Sequence, residues 1–377
     1  MSTDTAMSTS LPLRKDLSGC QPYGAPELEV TARLNVNENP YPPSDAVTES
    51  IAEAVRAAAA GANRYPEREF PALRAALADY LAVESGVRLD PEQIWAANGS
   101  NEVMLHLMQA FGGPRRAVVT ANPTYSMYPE YARDTFTDYV TVDRNPDFTL
   151  DINALLSAAS ESAASLVLVA SPNNPTGTAA SLQDIRALCA GLRGKGPNGS
   201  DGLVVVDEAY GEFRRGGVAS ALTLLETHDN LVVTRTMSKA FGMAGLRLGY
   251  LAASRAIIDA LRIVRLPYHL SAITQAAALA ALSHRDELMA QIAHLRELRD
   301  DLATWLTEQG YTVIDSDANF LLFGPHPDRH AVWAGLLGRG VLIREVGPED
   351  YLRVSIGTDT EMDLFKTSLL EVTRGTH

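Results

Sequence analysis

The feature that most constrains the fold is a series of short apolar runs that alternate with helical patterns. Four such runs, each bounded by Gly, Pro, Asn or Asp, lie at 117–120, 166–170, 203–206 and 231–234. Helical periodicity appears between them, at 101–111 and 182–192. Such alternation is typical of buried strands in an α/β fold. It predicts a mostly parallel sheet covered by helices on both faces, with ligands bound beyond the carboxyl ends of the strands.

The pattern changes near residue 261. An alanine-rich helix is expected at 271–282 and a long charged helix at 287–309, followed by short strands and two further helical patterns. This change predicts a second, smaller α+β domain. We therefore expect an N-terminal arm over 1–32, with its first ten residues disordered, a large domain over 33–265 and a small domain over 266–377.

Composition limits the possible partners and the compartment. The formal net charge is −14, which argues against a nucleic-acid or anionic-membrane partner because either would require a basic face. The polar start and the absence of a run of roughly eighteen apolar residues predict a cytoplasmic protein. The two cysteines, Cys20 and Cys189, suit a reducing compartment and have no metal-ligand spacing, so we expect no metal site.

Polar side chains follow two of the apolar runs. Asp207 and Tyr210 come after the run at 203–206, and Asn174 lies in the turn 171–177 (SPNNPTG) after another. A carboxylate at the end of a buried strand is costly unless it faces a cation. Asp207 is therefore either a helix N-cap or the partner of a protonated ring nitrogen, with Tyr210 reaching a second polar atom of that ring.

Lys239 has neighbours that a solvated lysine does not need. Thr236 and Ser238 precede it, a glycine-containing loop follows, and Arg247 lies eight residues downstream in an apolar context. Residues 98–102 (NGSNE) open a helix, whose free N–H groups favour an anion. These residues suit an amine that forms an imine beside a phosphate group.

In order and spacing, these motifs resemble the fold-type I pyridoxal-phosphate-dependent aminotransferases. The resemblance implies that Lys239 holds the cofactor as an imine and moves a proton during catalysis. Asp207 would keep the pyridine nitrogen protonated, Tyr210 and Asn174 would bind the phenolic oxygen, and Tyr125 would stack on the ring. The phosphate would be bound by a further group of residues, namely Ser100, Asn101, Thr236, Ser238 and Arg247.

Within that family, the segments 34–41, 63–66 and 351–358 and the arm at 21–25 resemble the histidinol-phosphate aminotransferase branch. The branch interconverts histidinol phosphate and 2-oxoglutarate with imidazole-acetol phosphate and glutamate, in a ping-pong reaction of histidine biosynthesis. The resemblance implies a homodimer in which Tyr65 reaches the cofactor phosphate of the neighbouring subunit. It also implies a substrate site formed by Tyr23, Asn37, Arg344 and Arg353.

Several alternatives remain at this point. An aromatic amino acid aminotransferase would use the same catalytic residues, and a phosphothreonine decarboxylase is related to this branch. A cofactor-binding transcriptional regulator is disfavoured by the negative charge and by the short segment before the core. Among single residues, Tyr23 can brace the arm, Asn37 can be a turn residue, and Arg344 can pair with Glu345 or Asp350.

Overall fold

The computed structural model describes residues 11–374. The predicted disorder of the first ten residues therefore lies outside the described residues. The α-helices of the described chain are α1 (Asp45–Ala59), α2 (Pro71–Ser85), α3 (Gly99–Phe111), α4 (Tyr128–Asp134), α5 (Ile152–Glu161), α6 (Leu182–Gly191), α7 (Arg255–Val264), α8 (Ala272–Ser283), α9 (Arg285–Glu308), α10 (Arg329–Leu337) and α11 (Asp359–Arg374).

The strands divide into one large sheet and two small ones. In chain order they are β1 (Ala32–Arg33), β2 (Ile94–Ala97), β3 (Ala117–Asn122), β4 (Asp138–Asp143), β5 (Leu166–Ala170), β6 (Leu203–Asp207), β7 (Leu231–Thr236), β8 (Gly249–Ala253), β9 (Thr312–Val313), β10 (Phe320–Gly324), β11 (Val341–Leu342) and β12 (Leu352–Ser355).

The large sheet has the strand order β2-β8-β7-β6-β5-β3-β4. Strands β3 to β7 run parallel, and β8 is antiparallel to both β7 and β2. Every residue of β5 and β6 is buried. Because successive side chains of a strand point to opposite faces, both faces of the sheet are covered. The predicted mostly parallel α/β sheet is confirmed.

Local sequence explains where the first helices begin and end. The Ser44 hydroxyl accepts a hydrogen bond from the Val47 N–H at 3.3 Å and caps α1. Gly86 ends α2 with a φ of 73°, a left-handed conformation that glycine adopts without strain.

The outer strands were not apparent from the sequence. Strand β4 is half exposed at one edge of the sheet and carries alternating polar residues. Strand β2, at the other edge, consists of Ile94, Trp95 and two alanines rather than a β-branched run. The apolar pattern marked only the inner parallel strands, which are buried on both faces.

The C-terminal part forms a separate antiparallel sheet with the order β12-β10-β9. A second hydrophobic core lies between this sheet and helices α9 and α11, and it includes Leu295, Leu302, Phe320, Val354 and Phe365. The α+β character of this part is as predicted.

The N-terminal segment belongs with this second core. Strand β1 pairs in parallel with β11, and the Ser355 N–H donates to the Leu34 carbonyl at 3.0 Å. Helix α8, in contrast, contributes Ala278 and Ala281 to the core of the large sheet. The division of the chain at residues 32/33 and 265/266 remains a prediction.

Candidate active site

A cavity of about 470 Å³ lies beyond the carboxyl ends of β5, β6 and β7. The arm, the segment 35–38, the start of α3 and the segment that contains Arg344 and Arg353 close its other sides. All predicted site residues except Tyr65 line this cavity. The sheet topology brings together the site residues that follow β5, β6 and β7, because the carboxyl ends of parallel strands lie at one edge of the sheet.

Lys239 lies in the cavity with its amine held by the main chain. Its Nζ donates to the Val36 carbonyl at 2.8 Å. Burial, helped by the nearby Arg353 and Arg247 and opposed by Glu38, lowers the pKa of Lys239 to about 8. A substantial fraction of this amine is therefore neutral, and so nucleophilic, near pH 8.

Asp207 is buried at the end of β6 and is held by two hydroxyl groups. Thr234 donates to Oδ1 at 3.0 Å, and Tyr128 donates to Oδ2 at 3.1 Å. Burial raises the pKa of Asp207, while these donors oppose the rise because they bind the charged form. Within the described chain Asp207 forms no ion pair, so its carboxylate remains available to a cation in the cavity.

Tyr128 and Thr234 were not assigned from the sequence to this role. The ring of Tyr128 lies at 86° to that of Tyr125, with the centroids 5.7 Å apart, so it supports Tyr125 from the side. Thr234 and Thr236 are two residues apart on β7, so their side chains point to the same face of the sheet. This spacing is the one sequence signal that could have indicated a role for Thr234 at the site.

The start of α3 forms a close-packed backbone cradle. A Cβ on Gly249 would lie 2.1 Å from the Ser100 nitrogen, and one on Gly99 would lie 2.8 Å from Nη2 of Arg247. Gly99 also has a φ of 81°. Thr236 and Ser238 complete the cradle, with their hydroxyl oxygens 3.0 Å apart.

The charge of Arg247 remains available in this cradle. Its Nη1 donates to the Ala244 carbonyl at 3.1 Å, and no ion pair of Arg247 is found among the described residues. Exposed N–H groups at a helix start, two hydroxyls and a guanidinium form a donor set suited to a phosphate group. The side-chain oxygen of Asn101 accepts from Tyr131, so Asn101 offers the cradle its main-chain N–H.

Two further arginines, Arg344 and Arg353, line the cavity. Arg344 and Arg353 are neighbours across an antiparallel bridge, and burial lowers the pKa of Arg353 to about 10. Within residues 11–374 neither forms an ion pair, and Nη1 of Arg344 and Nε of Arg353 are buried without a partner. Glu345, the alternative partner of Arg344, instead contacts His330 at 3.2 Å. These cations are therefore available to an anionic ligand.

The remaining predicted residues occupy different positions. Tyr23 contacts Ser126 through its hydroxyl at 2.9 Å and closes the cavity. Asn174 accepts a hydrogen bond from Arg353, which fixes its amide at the cavity wall. The side chain of Asn37 is buried and hydrogen-bonded to Tyr210 and Ser355.

Tyr65 is the predicted residue that lies away from the cavity. It is 81% exposed and stacks on Tyr268 with a centroid distance of 4.5 Å.

The donor set fits pyridoxal phosphate. Lys239 provides an amine for its aldehyde, Asp207 an acceptor for its protonated ring nitrogen, and Tyr125 an aromatic ring beside these groups. The cradle at the start of α3 fits its phosphate. The same described residues contain no helix long and apolar enough to cross a membrane and no acidic, His or Cys cluster that could hold a metal ion.

Comparison with known proteins agrees with this assignment. Residues 30–369 match the family model for aminotransferase class I and II. A histidinol-phosphate aminotransferase of Bifidobacterium longum is 55% identical and aligns over 98% of both chains. Another, from Thermobifida fusca, is 55% identical over 96% of each chain. The crystal structure of a histidinol-phosphate aminotransferase from Sinorhizobium meliloti in complex with pyridoxal-5'-phosphate has 26% identity, a TM-score of 0.83 and coverage of 99% and 100%.

The fold and the donor set are those of a pyridoxal-phosphate-dependent aminotransferase of fold type I. The chain belongs to the class I and II aminotransferase family, and within it to the family of the histidinol-phosphate aminotransferases.

Proposed function

We propose that this protein transfers an amino group between histidinol phosphate and 2-oxoglutarate, giving imidazole-acetol phosphate and glutamate in histidine biosynthesis. The observation that carries the proposal is the pair Arg344 and Arg353, two cations without an ion-pair partner in the described chain that line the same cavity as Lys239. The high identity to proteins named for histidinol phosphate supports the choice of substrate.

The cofactor would be held by residues around the whole cavity. Asp207 would bind the ring nitrogen, Tyr210 and Asn174 the phenolic oxygen, and Tyr125 the face of the ring. The phosphate would be held by the cradle, which consists of the Ser100 and Asn101 N–H groups, Thr236, Ser238 and Arg247. When bound, pyridoxal phosphate withdraws electrons from the substrate Cα, which makes the Cα proton acidic.

Lys239 acts as the base that moves this proton. In its neutral form Nζ would accept the proton from the substrate Cα and would then deliver it to the cofactor carbon that carried the aldehyde, so that the proton moves from one carbon to the other. The lowered pKa favours this role, because an amine with a pKa near 8 can both accept and release a proton close to neutral pH. The Val36 carbonyl orients the amine between the two transfers.

The two arginines account for two different anionic substrates. In the ping-pong reaction glutamate presents a carboxylate and histidinol phosphate presents a phosphate monoester to the same cavity. Nη1 and Nη2 of Arg353 are held by Asn174 and Asn35, whereas no side-chain hydrogen bond of Arg344 is found among the described residues. One rigid and one less constrained guanidinium, with the Tyr23 hydroxyl beside them, can hold either anion in turn.

The substrate proposal is tested by turnover with 2-oxoglutarate. We expect kcat/KM for histidinol phosphate to exceed that for phenylalanine by at least about a hundredfold, since a phosphate adds charge-assisted hydrogen bonds to two arginines. Histidinol, which lacks only the phosphate, is the matched control and should resemble phenylalanine. A preference for phenylalanine would favour an aromatic aminotransferase instead.

We also propose that the protein is a homodimer. An exposed apolar surface is formed by Tyr65, Ile263, Leu266, Tyr268 and Ile273, whose exposure ranges from 37% to 83%. Four of these residues lie within 263–273, and Tyr65 stacks on Tyr268. Exposed apolar side chains grouped in this way are typical of a protein interface. Tyr65 would there reach the cofactor phosphate of the second subunit. Sedimentation should show a dimer that Ile263→Asp dissociates; a monomeric wild-type protein with full activity would rule the proposal out.

We propose a cytoplasmic location. Cys20 and Cys189 are both free thiols, as is typical of proteins in a reducing compartment. Cell fractionation with an antibody to the protein would test this, and recovery outside the cytoplasmic fraction would contradict it.

A further inference from the structure

Asn37 is held in an unusual conformation by four hydrogen bonds. Its φ is 56°, and the residue is only 2% exposed. The main-chain N–H donates to Ser355 Oγ at 3.0 Å, and the main-chain carbonyl accepts from Asn319 at 3.1 Å. The side chain bonds Tyr210 at 2.9 Å through Nδ2 and accepts from the Ser355 hydroxyl at 2.8 Å through Oδ1. A simple turn residue needs none of these side-chain contacts.

Ser355 determines which way the Asn37 amide faces. Its hydroxyl oxygen already accepts the Asn37 main-chain N–H, so its own hydrogen is free to donate to Oδ1. If the amide were flipped, Ser355 would receive two N–H donors and its hydrogen would lose this acceptor. The satisfied arrangement therefore places Nδ2, a donor, against Tyr210.

The direction of this hydrogen bond fixes the Tyr210 hydroxyl. Since Asn37 donates to it, the hydroxyl oxygen is the acceptor in this contact and its hydrogen must point elsewhere. Among the described residues Asn37 is the one hydrogen-bond partner of the Tyr210 hydroxyl, and Tyr210 lines the cavity. The Tyr210 ring cannot turn freely, because it is buried against Phe320 in an edge-on contact with the ring centroids 5.1 Å apart.

We infer that Asn37 is a positioning residue for Tyr210, which it holds as a donor toward the phenolic oxygen of the cofactor, rather than a direct contact of the substrate. The inference rests on the proposed function, since it requires pyridoxal phosphate in the cavity. A hydrogen-bond donor at the phenolic oxygen of the cofactor lowers the basicity of that oxygen. The pH midpoint of the visible absorbance of the bound cofactor then lies lower than it would without the donor.

The test is a double-mutant cycle read by absorbance. Asn37→Gly removes the amide and tolerates the φ of 56° without strain. We expect it to raise the pH midpoint of the cofactor absorbance by about one unit. Tyr210→Phe should raise it by at least as much, and the double variant should show no further rise, because Asn37 acts through Tyr210.

Ser355→Ala is a second, independent variant. It keeps the Asn37 side chain but removes the group that orients the amide, so we expect a smaller rise of the midpoint that is also absent in the Tyr210→Phe background. It keeps the inference testable if Asn37→Gly fails to fold, as judged by circular dichroism.

Two results would overturn the inference. One is a midpoint in Asn37→Gly equal to that of the wild type, with a raised KM for histidinol phosphate, which would make Asn37 a substrate contact. The other is a shift that persists unchanged in the Tyr210→Phe background. Failure of the proposed function is distinct from both. If the protein did not turn over histidinol phosphate, the absorbance of the bound cofactor could still be titrated in every variant. If the wild-type protein bound no pyridoxal phosphate, it would show no visible absorbance at all.

Discussion

Two groups of charged residues lie on opposite sides of the carboxyl ends of β6 and β7. On the cavity side are Asp207 and Lys239, together with Arg344 and Arg353. On the other side is a buried ion network, which we define as Glu84, Glu208, Glu212, Arg214 and Arg235. Asp207 is the last residue of β6 and Glu208 follows it directly, yet one carboxylate belongs to each group.

The ion network is paired within itself. Arg235, 1% exposed, contacts Glu208 at 2.7 Å, Glu212 at 2.9 Å and Glu84 at 3.1 Å. Burial alone would raise the pKa of Glu208, but Arg235 and Arg214 outweigh it and lower the pKa. Burial raises the pKa of Glu212 although Arg235 opposes this effect. Each charge of the network nevertheless has an ion-pair partner within the protein, so the network serves the structure.

The cavity charges lack such partners. Burial raises the pKa of Asp207 and lowers those of Lys239 and Arg353, and none of the three forms an ion pair among the described residues. Of these two groups of buried charges, the unpaired one lines the cavity and the paired one supports the sheet, as expected if unpaired buried charges mark a functional site.

The largest expected effect is that of Lys239→Ala. We expect turnover to fall by at least about a thousandfold, since both roles proposed for this amine, binding the cofactor and acting as the base, are lost. The visible absorbance of the lysine-bound cofactor should disappear as well. Lys195→Ala, at an exposed position, is the control and should change neither. Retention of turnover and absorbance in the Lys239 variant would refute the assignment.

Arg235→Met tests the ion network. It leaves several buried carboxylates without their main cation, and breaking such a network costs about 3–5 kcal/mol of unfolding free energy. Urea denaturation of the protein measures this loss. Arg255→Met removes an arginine that is 68% exposed and should cost less than about 0.5 kcal/mol. If both variants were equally stable, the network would have no structural role and the contrast between the two groups would fail.

Arg353→Lys tests the cavity side. A lysine keeps the charge but cannot form two parallel hydrogen bonds, so we expect kcat/KM for histidinol phosphate to fall by about tenfold to a hundredfold. The unfolding free energy should change much less than in Arg235→Met, because Arg353 has no ion-pair partner to abandon. Steady-state kinetics and urea denaturation on the same samples separate the two effects. Loss of stability without loss of kcat/KM would reverse the interpretation.

The smallest effect concerns pH. With a pKa lowered to about 8, the neutral fraction of Lys239 rises as the pH increases through 8 and saturates above it. The rate at which apoprotein captures pyridoxal phosphate should therefore increase about tenfold between pH 7 and pH 9 and then level off. Stopped-flow absorbance measures this rate. A rate that still rises steeply beyond pH 9 would indicate an ordinary lysine.

The sequence predicted the inner parallel strands and most of the residues that follow them, because apolar runs and polar strand ends are local patterns. It could not predict that Tyr128 donates to Asp207, since the two residues are 79 positions apart and belong to different elements. The contact between Asn37 and Ser355 spans 318 positions and depends on a conformation that no local pattern announces. Local patterns therefore indicated the side chains that a single strand end brings to the cavity, and they missed the hydrogen bonds that orient those side chains.

The pairing of β1 with β11 has a consequence for synthesis. The residues that complete the cavity come from both ends of the chain: the segment 35–38 is held by Arg353 and Ser355, which are translated more than three hundred residues later. A nascent chain can form the large sheet early, but Asn37 and Tyr210 reach their final geometry only after β12 has left the ribosome. The complete cavity therefore forms only after the chain as far as β12 has been made and folded.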